Sequence, residues 1–160
     1  MPEELADFPA LAHIVGSLQD RIGEAIAETS FERRELSVKV RTANLLAILE
    51  FLRSGLGFNA LNDMIGLDHP PRAEETGKRF SILYQLYKFP GGLRVRVVID
   101  VDEGEPVPSV TSIYRSADWA EREIFDMFGI RFSGHPGLRR IYLPDDFEGH
   151  PLRKDFPLGG

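Results

Sequence analysis

Residues 79–101 read RFSILYQLYKFPGGLRVRVVIDV. Two strand-forming runs, RFSILYQLYKF and LRVRVVIDV, are separated only by PGG, and Gly91 and Gly92 supply the positive φ that a tight hairpin turn demands. This hairpin makes a sheet the centre of the fold, and the neighbouring segments must be read against it. Upstream, FNALNDMIGLD (58–68) is a weaker strand, followed by the polar loop PPRAEETGK (70–78). Before it, Thr42 can cap a helix that buries Leu45, Leu46, Ile48, Leu49 and Leu52, with Gly55 where a left-handed C-terminal cap belongs. In ELSVKVR (35–41), Leu36, Val38 and Val40 alternate with polar residues, as in a strand with one wet face. At the start, residues 9–28 place Leu11, Ile14, Val15, Leu18, Ile22 and Ile26 at helical spacing, with Pro9 in the first turn.

Downstream, DEGEPVPS (102–109) reads as a rigid polar linker. A third helix follows, with capping-box-like spacing of Asp118 and Glu121, although Asp replaces the usual Ser or Thr. Trp119, Ile124, Phe125 and Phe128 supply its apolar surface and Gly129 stops it. This aromatic cluster fits a core better than a stacking platform for bases. Beyond GIRF (129–132), Pro136, Pro144, Pro151 and Pro157 exclude a helix. The order α-β-α-β-β-β-α defines an α+β, two-layer domain with helices against a mixed sheet. The helix between the first two strands is a crossover. The domain is expected over 1–134, and an extended, partner-binding tail over 135–160. One short echo links them: GHPGLRR at Gly134 and GHPLRKD at Gly149.

A length of 160 residues suffices for one domain with a core, and 42% hydrophobic against 28% charged residues argues against wholesale disorder. The net charge of −6 argues against a nucleic-acid surface. No cysteine is present, so cysteine-held iron–sulfur clusters, thiolate zinc sites and disulfides cannot form on this chain alone. No apolar run is long enough to span a membrane, and the acidic start MPEELADF is unlike a targeting peptide.

Three histidines, His69, His135 and His150, each precede a proline. A metal reading would join His135 and His150 to Asp145 or Asp146, but the proline-rich spacing opposes convergence and favours structural or interfacial histidines. The pair Glu121/Glu123 diverges on a helix, whereas Arg122 and Asp126 are four apart and can pair. Pro144-Asp145-Asp146 reads as a turn with side chains folded onto backbone N–H groups. Arg94 and Arg96 share one strand face, a solvated surface or a partner surface. Neither a Gly-x-Ser-x-Gly elbow nor a Gly-rich phosphate loop is present, so an autonomous enzyme is disfavoured. Ordering the residues after Leu138 costs more backbone entropy than its few apolar side chains return, unless hydrogen bonds and ion pairs, or another protein, hold it.

The stretch ADWAEREIFDMFGIRFSGHPGLRRIYLPDDFEGHPLRKDFPL (117–158) closely resembles the motif region of one subunit family of proton-translocating NADH:quinone oxidoreductase, respiratory complex I. The family is that of the bacterial C subunit and the mitochondrial thirty-kilodalton subunit. The match is strong over Trp119 to Leu158 and looser upstream. The resemblance implies a non-catalytic subunit of the peripheral arm, docked on the quinone-site subunit and its iron–sulfur neighbours. It implies no cofactor on this chain; FMN, iron–sulfur clusters and quinone belong to other subunits. It implies a peripheral position on the cytoplasmic side of a bacterial or archaeal membrane. Asp118, Trp119, Glu121, Arg122, Glu123, Asp126 and Gly129 become structural motif positions. The positions implied for partner binding are His135, Arg139, Arg140, Asp145, His150, Arg153, Lys154 and Asp155, with Pro136, Pro144, Gly149 and Pro151 in the same motif. None is implied to be catalytic or metal-binding. Many members continue past this motif, whereas this sequence ends at Gly160. Two other readings stay open: the equivalent subunit of a membrane-bound hydrogenase, formate hydrogenlyase or other-donor dehydrogenase complex, and an autonomous metallohydrolase on His135, His150 and Asp145.

Overall fold

The computed structural model describes residues 3–69 and 77–159. Most of the polar loop expected at 70–78 therefore lies outside the described residues. Helix α1 (Pro9–Ile22) leads to strands β1 (Ile26–Glu32) and β2 (Glu35–Val40), then helix α2 (Leu45–Glu50), which continues as a π-helical turn, Phe51–Gly55. Strands β3 (Ala60–Asp68), β4 (Phe80–Lys88) and β5 (Leu93–Val101) follow, then the short β6 (Val107–Pro108), helix α3 (Ala117–Phe128) and the short β7 (Phe132–Ser133). The main sheet has the order β1-β2-β5-β4-β3. Within it only β2 and β5 run parallel; the other neighbours are antiparallel. The connection carrying α2 crosses from β2 to the far edge, because β4 and β5 occupy the positions between.

The sheet buries one face. Leu36, Val38 and Val40, then Val95, Val97, Ile99 and Val101, then Phe80, Ile82, Tyr84 and Leu86 belong to one core with residues of all three helices: Ile14 and Leu18 of α1, Ile48 and Leu49 of α2, and Ile124 and Phe128 of α3. Alternate residues on the other face, among them Ser37, Lys39, Leu83, Arg96 and Val98, line an open cleft. The hairpin expected from PGG is present, with Lys88 opposite Leu93 and Gly91 and Gly92 at φ 127° and 71°. The strand at FNALNDMIGLD is present as β3.

Several expectations need correction. Helix α1 ends at Ile22, and Ile26 opens a strand instead of extending the helical stripe. Pairing of Phe31 with Leu36 and Thr29 with Val38 outweighs local helix preference, and Arg33 and Arg34 turn the hairpin with positive φ of 51° and 65°. The order is thus α-β-β-α-β-β-β-α with the β6–β7 pair added. Thr42 does not cap α2: it starts a 3-10 turn and donates to the Asp100 carbonyl at 3.4 Å. Gly57, not Gly55, takes the left-handed conformation after that helix. The polar linker contains the fully buried Val107, which pairs with Phe132 in a two-stranded parallel ladder. Finally, Asp118 and Glu121 form no capping box on α3; both side chains point to other partners described below.

Candidate functional site

A helix leaves its last four carbonyls without helical partners. In α3 each is satisfied. The Phe125 carbonyl accepts the Gly129 N–H at 2.9 Å, with Gly129 at φ 77°. The Asp126 carbonyl accepts His150 Nδ1–H at 2.9 Å, which fixes that tautomer. The Met127 carbonyl accepts the Leu152 N–H at 3.1 Å, and the Phe128 carbonyl accepts Arg153 Nε–H at 2.7 Å. Residues 135–158 therefore form a strap that caps the helix. Gly129 is required twice: its φ disfavours any side chain, and a Cβ there would lie 2.7 Å from the His150 ring.

Asp126, fully buried, holds the strap from the side. Its Oδ2 accepts the N–H groups of Ile141, Tyr142 and Leu143 at 3.1, 2.9 and 3.1 Å, and its Oδ1 accepts Arg140 Nη1–H at 2.9 Å. Burial alone would raise the Asp126 pKa, but these donors outweigh it and hold the carboxyl below its ordinary value. Arg122 consequently does not pair with Asp126, as the spacing suggested. It lies over Trp119, 5.5 Å from the ring, and donates to the Arg139 and Arg140 carbonyls at 3.3 and 3.4 Å.

A second clamp ties the far end of the strap to the sheet. Asp68, at the end of β3, accepts Arg79 Nε–H and Nη2–H at 3.0 and 3.1 Å and the Lys154 N–H at 2.8 Å. Arg79 also reaches Asp155 at 3.0 Å and Glu103 at 2.7 Å, and Arg153 reaches Glu103 at 3.0 Å. The guanidinium groups of Arg79 and Arg153 lie over the Phe80 ring at 4.9 and 5.3 Å. Burial pushes the Asp68 pKa up, yet the hydrogen bonds from Arg79 and Lys154 bring it below its ordinary value.

At the other end of α3, Glu121 is fully buried. It accepts Ser109 Oγ–H at 2.7 Å and the Val110 N–H at 2.6 Å. His135 Nδ1 accepts the Gly137 N–H at 2.9 Å, so Nε2 carries the proton and donates to Asp118 at 3.1 Å. His135 thus serves the start of α3 and His150 its end. They attach eight residues apart, about 12 Å along the axis, and do not converge. Among the described residues, no group of three or more acidic or histidine side chains is placed to hold a metal. The Pro144 turn is closed by the backbone, Phe147 N–H to Pro144 carbonyl at 3.0 Å.

Of the strap positions singled out from sequence, His135, Arg140, His150, Arg153 and Asp155 have partners within the chain. The residues Arg139, Asp145 and Lys154 are exposed. Trp119, expected in the core, is 56% exposed; Tyr142 and Leu152 are 58% and 54% exposed. Sequence reasoning missed Asp68, Arg79, Phe80 and Glu103 as the strap's seat. A signal existed for Asp68: it shares the inward parity of Met64 and Gly66 on β3, where a buried carboxylate demands a cation.

The match to a known family runs from within β2 through α3 and the strap. The family model described as the respiratory-chain NADH dehydrogenase 30 Kd subunit matches residues 38–160. The chain belongs to that family. The C subunit of NADH-quinone oxidoreductase from Brucella ovis is 45% identical over 153 residues, 94% of this chain and 74% of the relative. Its counterpart from Rhizobium meliloti, the C 1 subunit, is 44% identical over the same shares. The trypsin-resistant fragment (1-134) of Nqo5 superimposes with a TM-score of 0.70 at 29% identity, covering 81% of this chain and 99% of the fragment. A chain of the membrane-bound sulfane sulfur reductase, an archaeal respiratory membrane complex, superimposes with a TM-score of 0.76 at 25% identity, covering 92% and 85%. In this member of the 30 Kd family, the charged side chains of Arg122, Asp126, Arg140, Arg153 and Asp155 all serve the strap-and-helix clasp.

Proposed function

We propose that this chain is a non-catalytic structural subunit in the peripheral arm of a proton-translocating NADH:quinone oxidoreductase. It docks on the quinone-site subunit and adjoining iron–sulfur subunits at the cytoplasmic face of the membrane, while FMN, iron–sulfur clusters and quinone are held by those partners. Family membership and the names of the NADH-quinone oxidoreductase relatives support the complex. No helix among the described residues is long and apolar enough to cross a membrane, which accords with a peripheral place. The observation that carries the docking surface is the division of labour in the clasp. Its buried polar groups hold the strap in one conformation, which leaves Tyr142 and Leu152 exposed together with Arg139 and Lys154, while Trp119 is exposed on α3. Rigid, preorganised aromatic and apolar anchors among cations are the kind of surface that carries interface energy.

Trp119→Ala combined with Leu152→Ser tests this. The chain alone should melt within a few degrees of wild type, while recovery of the other subunits in a pull-down of the assembled complex should fall at least about tenfold, the effect of two lost anchors. Normal assembly by the double variant would refute the surface. The likeness to the sulfane sulfur reductase chain supports a second reading, the same role beside a different electron-input module. Mass spectrometry of the subunits that co-purify separates the two.

A further inference from the structure

Glu121 stands apart from the other carboxylates of the clasp, because among the described residues no arginine or lysine bonds to it. Its side chain is fully buried beneath the turn at 109–111, and the donors that bond to it are neutral. Ser109 Oγ, which donates to Glu121 Oε2, is also 2.8 Å from Thr111 Oγ1, and either hydroxyl can be the donor of that second bond. The charged and titratable groups facing Glu121 come from three elements. From β4, Tyr84 is wholly buried, with a hydroxyl that has no hydrogen-bond partner among the described residues. From its own helix comes Asp118, and from the strap His135, whose Nε2 is 3.9 Å from Glu121 Oε2 and 3.1 Å from Asp118 Oδ1.

We propose that Glu121 is a proton-binding site built into the folded subunit, with the Ser109–Thr111 hydroxyl pair reversing its hydrogen bonds to hold either state. When Glu121 is ionised, Ser109 and the Val110 N–H donate to it and Thr111 donates to Ser109. When it takes a proton from solvent, its O–H donates to Ser109 Oγ, and the Ser109 hydroxyl turns to Thr111 Oγ1. In the protonated state the O–H of the half-buried Thr111 turns to solvent, so no donor of the set is stranded in either state, and the proton returns to solvent on release. In the neutral state the His135 N–H is left to Asp118 alone. Proton occupancy therefore bears on the turn after β6 and on the first residue of the strap together. Burial, the largest influence, and the nearby Asp118 raise the Glu121 pKa, while Ser109, Val110 and His135 lower it; the net shift is upward, in the direction the site requires.

Infrared titration of the full-length chain tests the proposal through the carbonyl band of a protonated carboxyl. One such band should appear while the fold is intact, with a midpoint above that of the exposed glutamates, and it should vanish in Glu121→Gln. Thr111→Val costs the ionised state a donor that the Thr111 N–H, 3.3 Å from Ser109 Oγ, partly replaces, but strands the Ser109 hydroxyl in the protonated state, so it should weaken proton binding about three- to tenfold. Glu148→Gln, at an exposed position, should leave the midpoint unchanged. If Glu121→Gln does not fold, the contrast between the last two variants decides. A band that survives Glu121→Gln, a midpoint that Thr111→Val does not move, or the absence of any such band in the folded chain would overturn the assignment.

Discussion

Asp126 shows why one residue type is required at one place. Three successive strap N–H groups and a guanidinium converge on its two oxygens, an arrangement that only an acceptor-only, ionised side chain satisfies. Asp126→Asn keeps the shape but presents an NH2 group to donors and leaves Arg140 without its counter-charge. It should destabilise the chain by about 3 kcal/mol, read from the urea midpoint, with faster amide exchange at Ile141, Tyr142 and Leu143. Tyr84 illustrates the reverse. Its hydroxyl is buried without a partner among the described residues, and burial pushes its pKa well up, with the Glu121 charge adding to the shift. Tyr84→Phe should raise stability by about 1 kcal/mol, because removing an unsatisfied polar group removes its desolvation cost. A loss of stability in that variant would mean that the hydroxyl has a partner in solution.

At the level of elements, the strap is an α-helix cap made of irregular chain. Its two anchoring carboxylates set its response to acid. Asp68 and Asp126 both have folded pKa values below the ordinary one, so their contribution is complete above the unfolded aspartate value of about 3.9 and is lost as pH falls through the lower, folded values. Glu121, raised when folded, acts with the opposite sign: its contribution falls as pH rises from the unfolded glutamate value through the folded one. Strap amides should therefore lose protection at a higher pH than sheet amides on acidification, as followed by hydrogen exchange. Arg153 belongs to the same scale. A purely interfacial Arg153 would leave the isolated fold untouched when truncated. Its bond to the Phe128 carbonyl, its Glu103 ion pair and its seat over Phe80 predict instead that Arg153→Ala costs about 2 kcal/mol in the chain alone. Unchanged melting of that variant would show that the strap's far end is not seated in the free chain.

Across the whole molecule, the five-stranded sheet has helices on one face and an open cleft on the other, and the strap joins two elements distant in sequence. It ties the end of α3 to Asp68 and Arg79 at the β3–β4 end of the sheet. Hydrogen exchange on the full chain should accordingly show two levels within residues 135–159. The amides of Ile141, Tyr142, Leu143, Leu152 and Lys154 bond to α3 or Asp68 and should be protected, whereas those of Asp145 and Asp146, at an exposed turn, should exchange fast. Uniformly fast exchange over the whole segment would show that the strap needs another protein to dock.

The sequence alone determined the features that depend on near neighbours. The hairpin at Gly91–Gly92, the alternation in β2, the helix ended by Gly129 and the proline-rich irregularity after it all follow from backbone sterics and apolar period, and the long motif through Asp155 marked the family. Tertiary structure decided what local rules could not reach. Ile26 has helical spacing from Ile22, but its segment belongs to a strand because β2 offers hydrogen bonds and a buried place for Phe31. Asp126 lies four residues from Arg122, yet it bonds to Arg140 and to backbone N–H groups 15 to 17 positions away. Trp119 sits on the outer side of α3 because only packing against the sheet defines which side is inward. Periodicity records that an apolar or charged side chain needs a partner of a given kind; which partner it finds is set by the chain crossing that brings distant segments together.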